Sequence, residues 1–291
     1  MSIIFALRPP RILESAGVDD GILMPGTNGR AVILIHGLTG TPNEMRFLAW
    51  FFNSHGYTVA CPRLANHGQP LAVLQATPWR EFYSSVSAAF RKVRPDHTQV
   101  FACGLSMGAL LALLLAEEHG DGVDGVSCLS PTLFYDGWNV PWYHFLLHLA
   151  PWSGIENHLF FKEEPPYGLK NERIRERVHQ FFSSADLKDM RAVDQYGYPF
   201  FPVRLLSELR RLVRHLRSRL GRVGSPCQII QARHDDMSSV RNALFIYERV
   251  ASAMKEIVYL EDSYHVITAD QERGKVGNAM LDFFARCPAH D

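Results

Sequence analysis

Residues 98–118 constrain the fold of this chain more than any other segment. A short apolar, β-prone run leads into Gly104-Leu105-Ser106-Met107-Gly108, and an alanine- and leucine-rich run that favours a helix follows. This order predicts a buried strand, a tight turn with Ser106 at its apex, and a helix. Glycine suits the two flanking positions because a sharp strand-to-helix turn leaves little room for side chains there.

Ser106 is the candidate nucleophile of the chain. A turn of this kind projects the serine hydroxyl above the sheet at the N-terminus of a helix, where the helix dipole favours negative charge. A turn of small residues can also serve only to pack a helix closely against a strand. The chemical interpretation therefore depends on a base and an acid elsewhere in the sequence, because a free serine hydroxyl is a weak nucleophile.

Strands and helices alternate on both sides of this segment. Residues 31–35 form a continuous apolar run, as expected for a strand that is buried on both faces of a sheet. Similar runs predict strands at 57–61, 123–129, 227–232 and 256–260, with helical segments between most of them. The pattern predicts an α/β fold with a mostly parallel, doubly wound sheet.

Residues 131–224 interrupt this alternation. They include no obvious buried strand, but they contain 16 of the 33 aromatic residues of the chain. Helical stretches are predicted at 140–150, 171–184 and 202–220. A structureless loop of this length is uncommon in a compact domain. We therefore predict a helical cap, or lid, at 131–224, inserted into a core domain formed by residues 1–130 and 225–291.

Such a cap is expected to cover the carboxyl ends of the strands, where ligands bind in folds of this kind. Its aromatic residues predict an apolar substrate pocket, and Trp138 and Trp142 are candidates for contact with substrate. Tyr264 of the core domain is a third candidate. Most of the other aromatic residues are expected to form the core of the cap itself.

Composition argues against several other classes of function. The formal net charge is 0, which argues against general attraction to nucleic acid, and no apolar run is long enough to predict a transmembrane helix. The five cysteines are scattered without a CxxC pair, which favours reduced thiols in a cytoplasmic protein over disulfides or a zinc site. We expect no metal and no cofactor, and the sequence does not predict an oligomeric state.

The helix predicted at 202–220 carries an arginine-rich face opposite its apolar stripe. A basic face of this kind can bind an acidic partner, so an acyl carrier protein is a candidate partner. A solvated helix face is the simpler interpretation of the same residues.

Polar residues with the chemistry that Ser106 needs follow the last two predicted strands. Asp235 lies in the loop after the first of them, and His265 lies in the loop after the second. Both loops are expected at the same edge of the sheet as Ser106, and the chain order Ser, Asp, His is one that serine nucleophiles use. His265 is therefore the candidate general base, and Asp235 is the candidate acid that orients it. Asp236 competes with Asp235, but adjacent side chains of an extended segment point in opposite directions, and we prefer Asp235.

The loop after the strand at 31–35 is rich in glycine and begins with His36. Backbone N–H groups in such a loop can bind an oxyanion without moving, so the N–H groups of Leu38 and Met107 are the candidate oxyanion-hole donors. His36 is expected to shape the loop rather than to react. His67, which follows an earlier strand, is a weaker candidate base.

Four segments of the chain can be compared with known families. They are His36-Gly37-Leu38-Thr39-Gly40-Thr41-Pro42, Gly104-Leu105-Ser106-Met107-Gly108, Gln231-Ala232-Arg233-His234-Asp235-Asp236-Met237 and Ser263-Tyr264-His265-Val266-Ile267-Thr268. With these segments the chain resembles the α/β-hydrolase superfamily, and within it the bacterial carboxylesterases and monoacylglycerol lipases. The resemblance covers residues 30–130 and 225–290, and it supports Asp235 as the acid and Leu38 and Met107 as the oxyanion donors.

The resemblance implies a serine hydrolase that needs no cofactor. Together with the aromatic cap it predicts cleavage of carboxylic esters with a medium-chain or aromatic acyl group, through an acyl-enzyme intermediate. The same residues would serve a thioesterase or acyltransferase that acts on acyl chains bound to CoA or to a carrier protein. A catalytically inactive hydrolase fold used for binding is a further alternative, which is disfavoured because every catalytic position is filled.

Overall fold

The computed structural model describes residues 2–5, 21–140, 155–183 and 190–289. The strands are β1 (Ser2–Phe5), β2 (Gly21–Met24), β3 (Arg30–Ile35), β4 (Thr58–Pro62), β5 (Gln99–Leu105), β6 (Gly125–Leu129), β7 (Leu159–Lys162), β8 (Phe200–Pro202), β9 (Cys227–Ala232) and β10 (Lys255–Leu260). The helices are α1 (Arg46–Ser54), α2 (Leu71–Ala76), α3 (Trp79–Val93), α4 (Met107–His119), α5 (Glu172–Ser183), α6 (Met190–Tyr196), α7 (Val203–Arg217), α8 (Arg241–Arg249) and α9 (Arg273–Arg286). A short 3-10 turn at Pro42–Met45 precedes α1.

The central sheet has seven strands in the order β10-β9-β6-β5-β3-β4-β2. Neighbouring strands are parallel except for β2 and β4, which pair antiparallel. The register places Ile35 beside Gly104 and Leu105 beside Leu129, so β3, β5 and β6 end at one edge of the sheet. The predicted α/β fold with a mostly parallel sheet is confirmed, and the loops that follow these strands meet at the carboxyl edge.

Helices cover both faces of the sheet because apolar residues of its central strands point to both faces. Successive residues of β3 point to opposite faces, so that Ile33 packs in one buried cluster with α3 and α4, and Leu34 packs in a second cluster with α1 and α9. Helix α4 is buried on all sides from Met107 to Ala116 because it lies between the sheet and α7. The helix that follows Ser106 is therefore fixed at the centre of the molecule.

A second sheet, antiparallel and three-stranded, has the order β1-β7-β8. The expectation that residues 131–224 hold no strand is therefore wrong. Strands β7 and β8 have only four and three residues, too short for a clear alternation of apolar and polar positions. Their partner β1 is remote in sequence, and it falls in the range that the sequence assigned to the core domain.

The helical part of the predicted cap corresponds better to the structure. Helices α5 and α7 occupy the stretches predicted at 171–184 and 202–220, α6 was not predicted, and the helix predicted at 140–150 lies outside the described residues. Helix α7 packs against α2, α3 and α4 of the core. Residues 131–224, called the insertion below, thus contact the rest of the chain through α7, and their assignment as a separate domain with boundaries at 130 and 224 stays a prediction.

Two arginines beside the predicted basic face are ion-paired, Arg211 with Glu208 and Arg219 with Glu117. Arg222, just after the predicted helix, also pairs with Glu117. These carboxylates neutralise part of the charge that made a carrier protein a candidate partner. In the described part of the chain no helix is long and apolar enough to cross a membrane, and the five cysteines are buried and unpaired.

Candidate active site

Ser106 occupies the turn between β5 and α4. Its backbone has φ 56° and ψ −114°, a conformation that residues other than glycine rarely adopt. The N–H of Ser106 donates to the carbonyl of Leu129 at 2.9 Å, and the N–H of Ala109 donates to the carbonyl of Ser106 at 3.2 Å. These bonds hold the strained turn and keep the serine at the carboxyl edge of the sheet, at the N-terminus of a buried helix.

Gly104 and Gly108 allow the strand, the turn and the helix to come into backbone contact. A Cβ atom on Gly104 would lie 2.1 Å from the carbonyl group of Gly108, and a Cβ atom on Gly108 would lie 2.2 Å from the carbonyl oxygen of Ile35. Both distances are far shorter than real contacts, so neither position accepts a side chain unless the backbone moves. The geometry gives the physical reason for glycine on both sides of Ser106.

We expect Gly104→Ala to lower the free energy of unfolding by more than about 3 kcal/mol, because the new methyl group meets backbone that cannot yield. Gly274→Ala is the matched control. Gly274 lies near the start of α9 with no atom within 4 Å of its Cβ position, and alanine there should be neutral or stabilising by up to about 1 kcal/mol. Urea unfolding of both variants measures the difference, and equal stabilities would contradict the close approach of strand and helix.

His265 and Asp235 form a buried pair in the loops after β10 and β9. Nδ1 of His265 lies 2.9 Å from Oδ2 and 3.0 Å from Oδ1 of Asp235. Asp235 is itself fixed, because its Oδ1 accepts the N–H groups of Met237 and Ser238, each at 2.8 Å, and its Oδ2 accepts the side-chain amide of Gln231 at 2.8 Å. The carboxylate is thus oriented toward the ring nitrogen of His265 before any substrate binds.

The second aspartate of this loop contacts the backbone of His265 rather than its ring. Oδ1 of Asp236 accepts the N–H of His265 at 3.2 Å, and Oδ2 accepts the N–H of Gly168 at 3.2 Å. Asp236 therefore ties the histidine loop to the insertion. The two neighbouring aspartates have different partners, as the alternation of side chains in an extended segment predicts.

The charged neighbours of His265 determine the direction of its pKa shift. Burial lowers the pKa of His265. This effect is outweighed by the charge and hydrogen bond of Asp235 and by the charges of Asp236 and Glu44, so that the pKa lies above its ordinary value. The imidazolium form is therefore stabilised by carboxylates that surround it. An imidazole in this environment is suited to take a proton from a neighbouring hydroxyl.

Ser106 and His265 line the same cavity. In this structure the hydroxyl of Ser106 lies 3.0 Å from the hydroxyl of Thr132, which in turn lies 3.3 Å from the carbonyl oxygen of Ser130. Thr132 follows β6 at the same edge of the sheet. Sequence reasoning missed Thr132, although its position just after a buried strand is a signal that could have identified it.

The loop of residues 36–41 is fixed by histidine side chains. Nε2 of His36 accepts the N–H of Leu64 at 3.2 Å, so that the proton of the neutral ring is on Nδ1, which donates to the carbonyl of Gly37 at 2.9 Å. That carbonyl and the N–H of Leu38 belong to one planar trans peptide and point in opposite directions. His36 thereby orients the amide of Leu38, which agrees with the structural role expected for it.

His67 lies beside His36 and has a similar structural role. The two rings are in edge contact with their centroids 4.7 Å apart, and Nε2 of His67 lies 2.8 Å from the carbonyl oxygen of Leu38. Burial lowers the pKa of His67 to about 4 and that of His36 well below its ordinary value. His67 is not among the residues that line the cavity, so the structure gives no support to it as a base.

The two candidate oxyanion donors belong to different elements. Leu38 lies in the loop after β3 and lines the cavity, and Met107 follows Ser106 directly and is buried as the first residue of α4. The N–H of a first helical residue has no acceptor within its own helix, which leaves it available to a bound group. The role of both N–H groups as oxyanion donors stays a prediction.

The cavity at this edge has a volume of 840 Å³ and is enclosed by both the core and the insertion. Its apolar lining includes Leu169, Val178 and Phe182, which form a small buried cluster of the insertion. Trp142 lies outside the described residues. An apolar surface from residues 131–224 thus lines the same cavity as Ser106, and it includes Phe182, one of the aromatic residues from which the sequence predicted an apolar pocket.

Trp138 and Tyr264 do not line this cavity. Trp138 is 58% exposed, its indole N–H donates to the carbonyl of His234 at 2.9 Å, and its ring packs edge-on against Tyr264 at a centroid distance of 5.5 Å. The hydrogen bond holds the indole on the outer side of the aspartate loop. The structure therefore does not bring these two predicted substrate contacts to the site, because aromatic character alone does not give the direction of a side chain.

Carboxyl groups form one part of the polar wall of the cavity. Burial raises the pKa of Glu44 and of Glu163 to about 7 and the pKa of Asp236 to about 6, while the charge of His265 opposes each rise. Sequence reasoning missed both glutamates. Among the described residues, no three or more His, Cys, Asp or Glu side chains are grouped as a metal site. The charges of Glu44 and Asp236 in turn raise the pKa of His265.

A comparison with protein families matches residues 26–272 to the family described as "Serine aminopeptidase, S33". The chain belongs to this family. Similar proteins include the thermostable monoacylglycerol lipase of Bacillus sp. (strain H-257), 29% identical over 255 residues that cover 88% of this chain and 90% of the lipase. The carboxylesterase of Bacillus subtilis (strain 168) is 26% identical over 258 residues, which cover 88% of this chain and 93% of the esterase.

Solved structures of lipolytic enzymes are also similar to this chain. A structure from a study of two metagenome-derived lipolytic enzymes matches with a TM-score of 0.72 and 28% identity, over 91% of this chain and 96% of that one. The monoacylglycerol lipase of Paleococcus ferrophilus matches with a TM-score of 0.75 over 92% of this chain and 98% of that one, and at 18% identity it shows the fold alone. The chain is an α/β-hydrolase of the esterase/lipase type, as the sequence segments predicted.

Proposed function

We propose that this protein is a serine esterase that cleaves carboxylic esters with an apolar acyl group through an acyl-enzyme intermediate. The observation that carries this proposal is the 2.9 Å contact between His265 Nδ1 and Asp235 Oδ2, with His265 and Ser106 on the wall of one cavity. A nucleophile, a base and an acid that orients the base are the minimum for acyl transfer from a serine.

The proposed reaction begins with attack of Ser106 Oγ on the ester carbonyl while His265 Nε2 takes the hydroxyl proton. Asp235 stabilises the imidazolium, and the N–H groups of Leu38 and Met107 bind the oxyanion of the tetrahedral intermediate. The imidazolium then protonates the departing alcohol and leaves an acyl-serine. A water molecule, deprotonated by the same histidine, attacks this ester and releases the carboxylic acid.

The lining of the cavity suggests a substrate with an apolar and a polar end. An acyl chain suits the apolar surface of Leu169, Val178 and Phe182, whereas an alcohol with free hydroxyl groups can donate hydrogen bonds to Glu44 or Glu163. We therefore propose monoacyl esters of small polyols as a substrate class. The name of one relative, a monoacylglycerol lipase, is consistent with this choice.

A thioesterase or acyltransferase is the second candidate. The exposed arginines Arg46, Arg177 and Arg273 are also lining residues of the cavity, and such residues favour an anionic group near its opening, as in an acyl-CoA. The ion pairs of the arginines on α7 and the turn after it weaken the argument for a carrier protein.

A panel of substrates distinguishes these candidates. We expect kcat/KM for p-nitrophenyl esters to rise by about tenfold or more from the acetyl to the octanoyl ester, because the longer chain buries more apolar surface. Monoacylglycerols of the same chain length should be hydrolysed, and acyl-CoA thioesters should be poorer substrates. Turnover of thioesters alone would reject the esterase proposal, and no turnover of any substrate would favour the inactive binding protein.

A further inference from the structure

We propose that Glu44 is a positioning residue for the oxyanion loop, which we define as residues 36–41. Its carboxylate binds the N–H of Gly37, so that the next N–H, that of Leu38, points at the reacting carbonyl. This inference rests on the proposed esterase function. Oε2 of Glu44 accepts the N–H of Gly37 at 3.0 Å. Glu44 is seven residues after Gly37, so this bond ties the start of the loop to the 3-10 turn that follows it.

The packing of the loop around the carboxylate is close. A Cβ atom on Gly40 would lie 2.1 Å from the carboxyl carbon and both oxygens of Glu44. A Cβ atom on Gly37 would lie 3.4 Å from Oε2 of Glu44 and 3.7 Å from Cβ of Ser106. The carboxylate therefore occupies the space inside the loop that glycines leave open, next to the nucleophile candidate.

The loop is then held at consecutive peptides. Glu44 binds the N–H of Gly37, His36 binds the carbonyl of Gly37, and His67 binds the carbonyl of Leu38. The bond from His36 acts directly on the peptide that carries the Leu38 N–H, and the bonds from Glu44 and His67 fix the peptides on either side of it. Preorganised donors of this kind stabilise a developing oxyanion because they need not reorient during the reaction.

Glu44 also lies in the electrostatic field of the candidate base. The charges of His265, Glu163 and Cys61 interact with that of Glu44. The other charged and titratable groups that line its cavity are Arg46, Arg177, Arg273, Glu164, Asp194, Asp236, Tyr135, Tyr167, Tyr196 and Tyr198, and Asp194 is ion-paired with Arg63. The ionised carboxylate of Glu44 raises the pKa of His265. A neutral side chain at this position should therefore lower the pKa of His265, and kcat/KM, which rises as His265 loses its proton, should rise at lower pH.

Three variants test the positioning role. Glu44→Ala removes the acceptor and should lower kcat about 10²-fold with KM little changed, and it should weaken binding of a boronic acid that forms a tetrahedral adduct with Ser106 by a similar factor. Glu44→Gln keeps an acceptor for Gly37, so its kcat should stay within about fivefold of wild type. The acid limb of the pH profile of kcat/KM should shift to lower pH in Glu44→Gln, a change that a role only in packing would not produce.

Gly40→Ala acts by a second route and needs no change at Glu44. Its methyl group displaces the carboxylate from Gly37, so the variant should lose kcat as Glu44→Ala does. In the double variant the methyl group meets no carboxylate, and the two losses should not add. This cycle keeps the test decisive even where Glu44→Ala fails to fold. Glu163→Ala, assayed with a p-nitrophenyl ester that has no free hydroxyl group for Glu163 to bind, measures the cost of removing a cavity carboxylate as such, and the loss from Glu44→Ala should exceed it.

The outcomes separate this inference from the proposed function. Wild-type protein that neither hydrolyses esters nor is labelled by a fluorophosphonate would reject the proposed function. With the wild type active and labelled, a Glu44→Ala variant that retains full kcat, or a Glu44→Gln variant as impaired as Glu44→Ala, would overturn the positioning role alone.

Discussion

Replacement of Ser106 by alanine should lower kcat for ester hydrolysis by at least about 10⁴-fold and should abolish covalent labelling by a fluorophosphonate. The expected loss is large because His265, Asp235 and the oxyanion donors act on the serine oxygen and have no other nucleophile to activate. The backbone of residue 106 is held by Leu129 and Ala109, so alanine should adopt the same turn with little change in stability. Residual activity then measures what binding and the oxyanion donors contribute without acyl-serine formation.

Thr132→Val is the matched control for this experiment. It removes the hydroxyl that lies 3.0 Å from Ser106 Oγ but leaves the nucleophile in place. This variant should still be labelled by the fluorophosphonate, whereas Ser106→Ala should not. Equal labelling of wild type and Ser106→Ala would mean that another residue is the nucleophile, and intact mass spectrometry of the labelled protein would identify it.

The sequence predicted the parts of the fold that local patterns determine. The apolar run at 31–35 became β3 because a strand buried on both faces needs apolar residues at every position. The glycines around Ser106 predicted the sharp turn for a reason that the structure makes explicit. Strands β7 and β8 were missed because their stability comes from pairing with each other and with Ser2–Phe5, and that pairing leaves no local signal.

The residues of the candidate site also fall into those that local sequence patterns predict and those that they do not. Ser106, Asp235 and His265 could be proposed because each follows a recognisable strand, and the sheet alone brings such positions to one edge. Glu44 was missed because it does not directly follow a strand, and the bond between its carboxylate and the N–H of Gly37 depends on how the loop folds. Trp138 was proposed for the pocket from its aromatic character, but its hydrogen bond to the carbonyl of His234 keeps it outside. Contacts that depend on how loops pack against one another are set by tertiary structure, which a single sequence does not display.

Asp235→Asn should lower kcat by about 10³- to 10⁴-fold, and Asp236→Asn should lower it by less than about tenfold. The asparagine side chain has one oxygen and one NH₂ group, and the hydrogen bonds of Asp235 decide which carboxylate oxygen each of them replaces. Oδ1 of Asp235 accepts two backbone N–H groups at 2.8 Å, so the asparagine oxygen must take that position and its NH₂ group must take that of Oδ2. The NH₂ group would then face Nδ1 of His265 from 2.9 Å.

The NH₂ group cannot accept the Nδ1 proton, and the asparagine oxygen, 3.0 Å from Nδ1, already accepts two backbone N–H groups. The tautomer in which Nδ1 accepts and the ring proton is on Nε2 is therefore favoured. A histidine with a proton on Nε2 cannot accept the proton of Ser106, which removes general-base catalysis without removing the side chain. At Asp236 both oxygens bind backbone N–H groups of His265 and Gly168, and an asparagine oxygen can still accept one of them. Nitrogen-15 NMR of the imidazole should show the changed tautomer in Asp235→Asn only. A greater loss of activity from Asp236→Asn than from Asp235→Asn would assign the orienting role to Asp236, because the two variants differ only in which partner of His265 they remove.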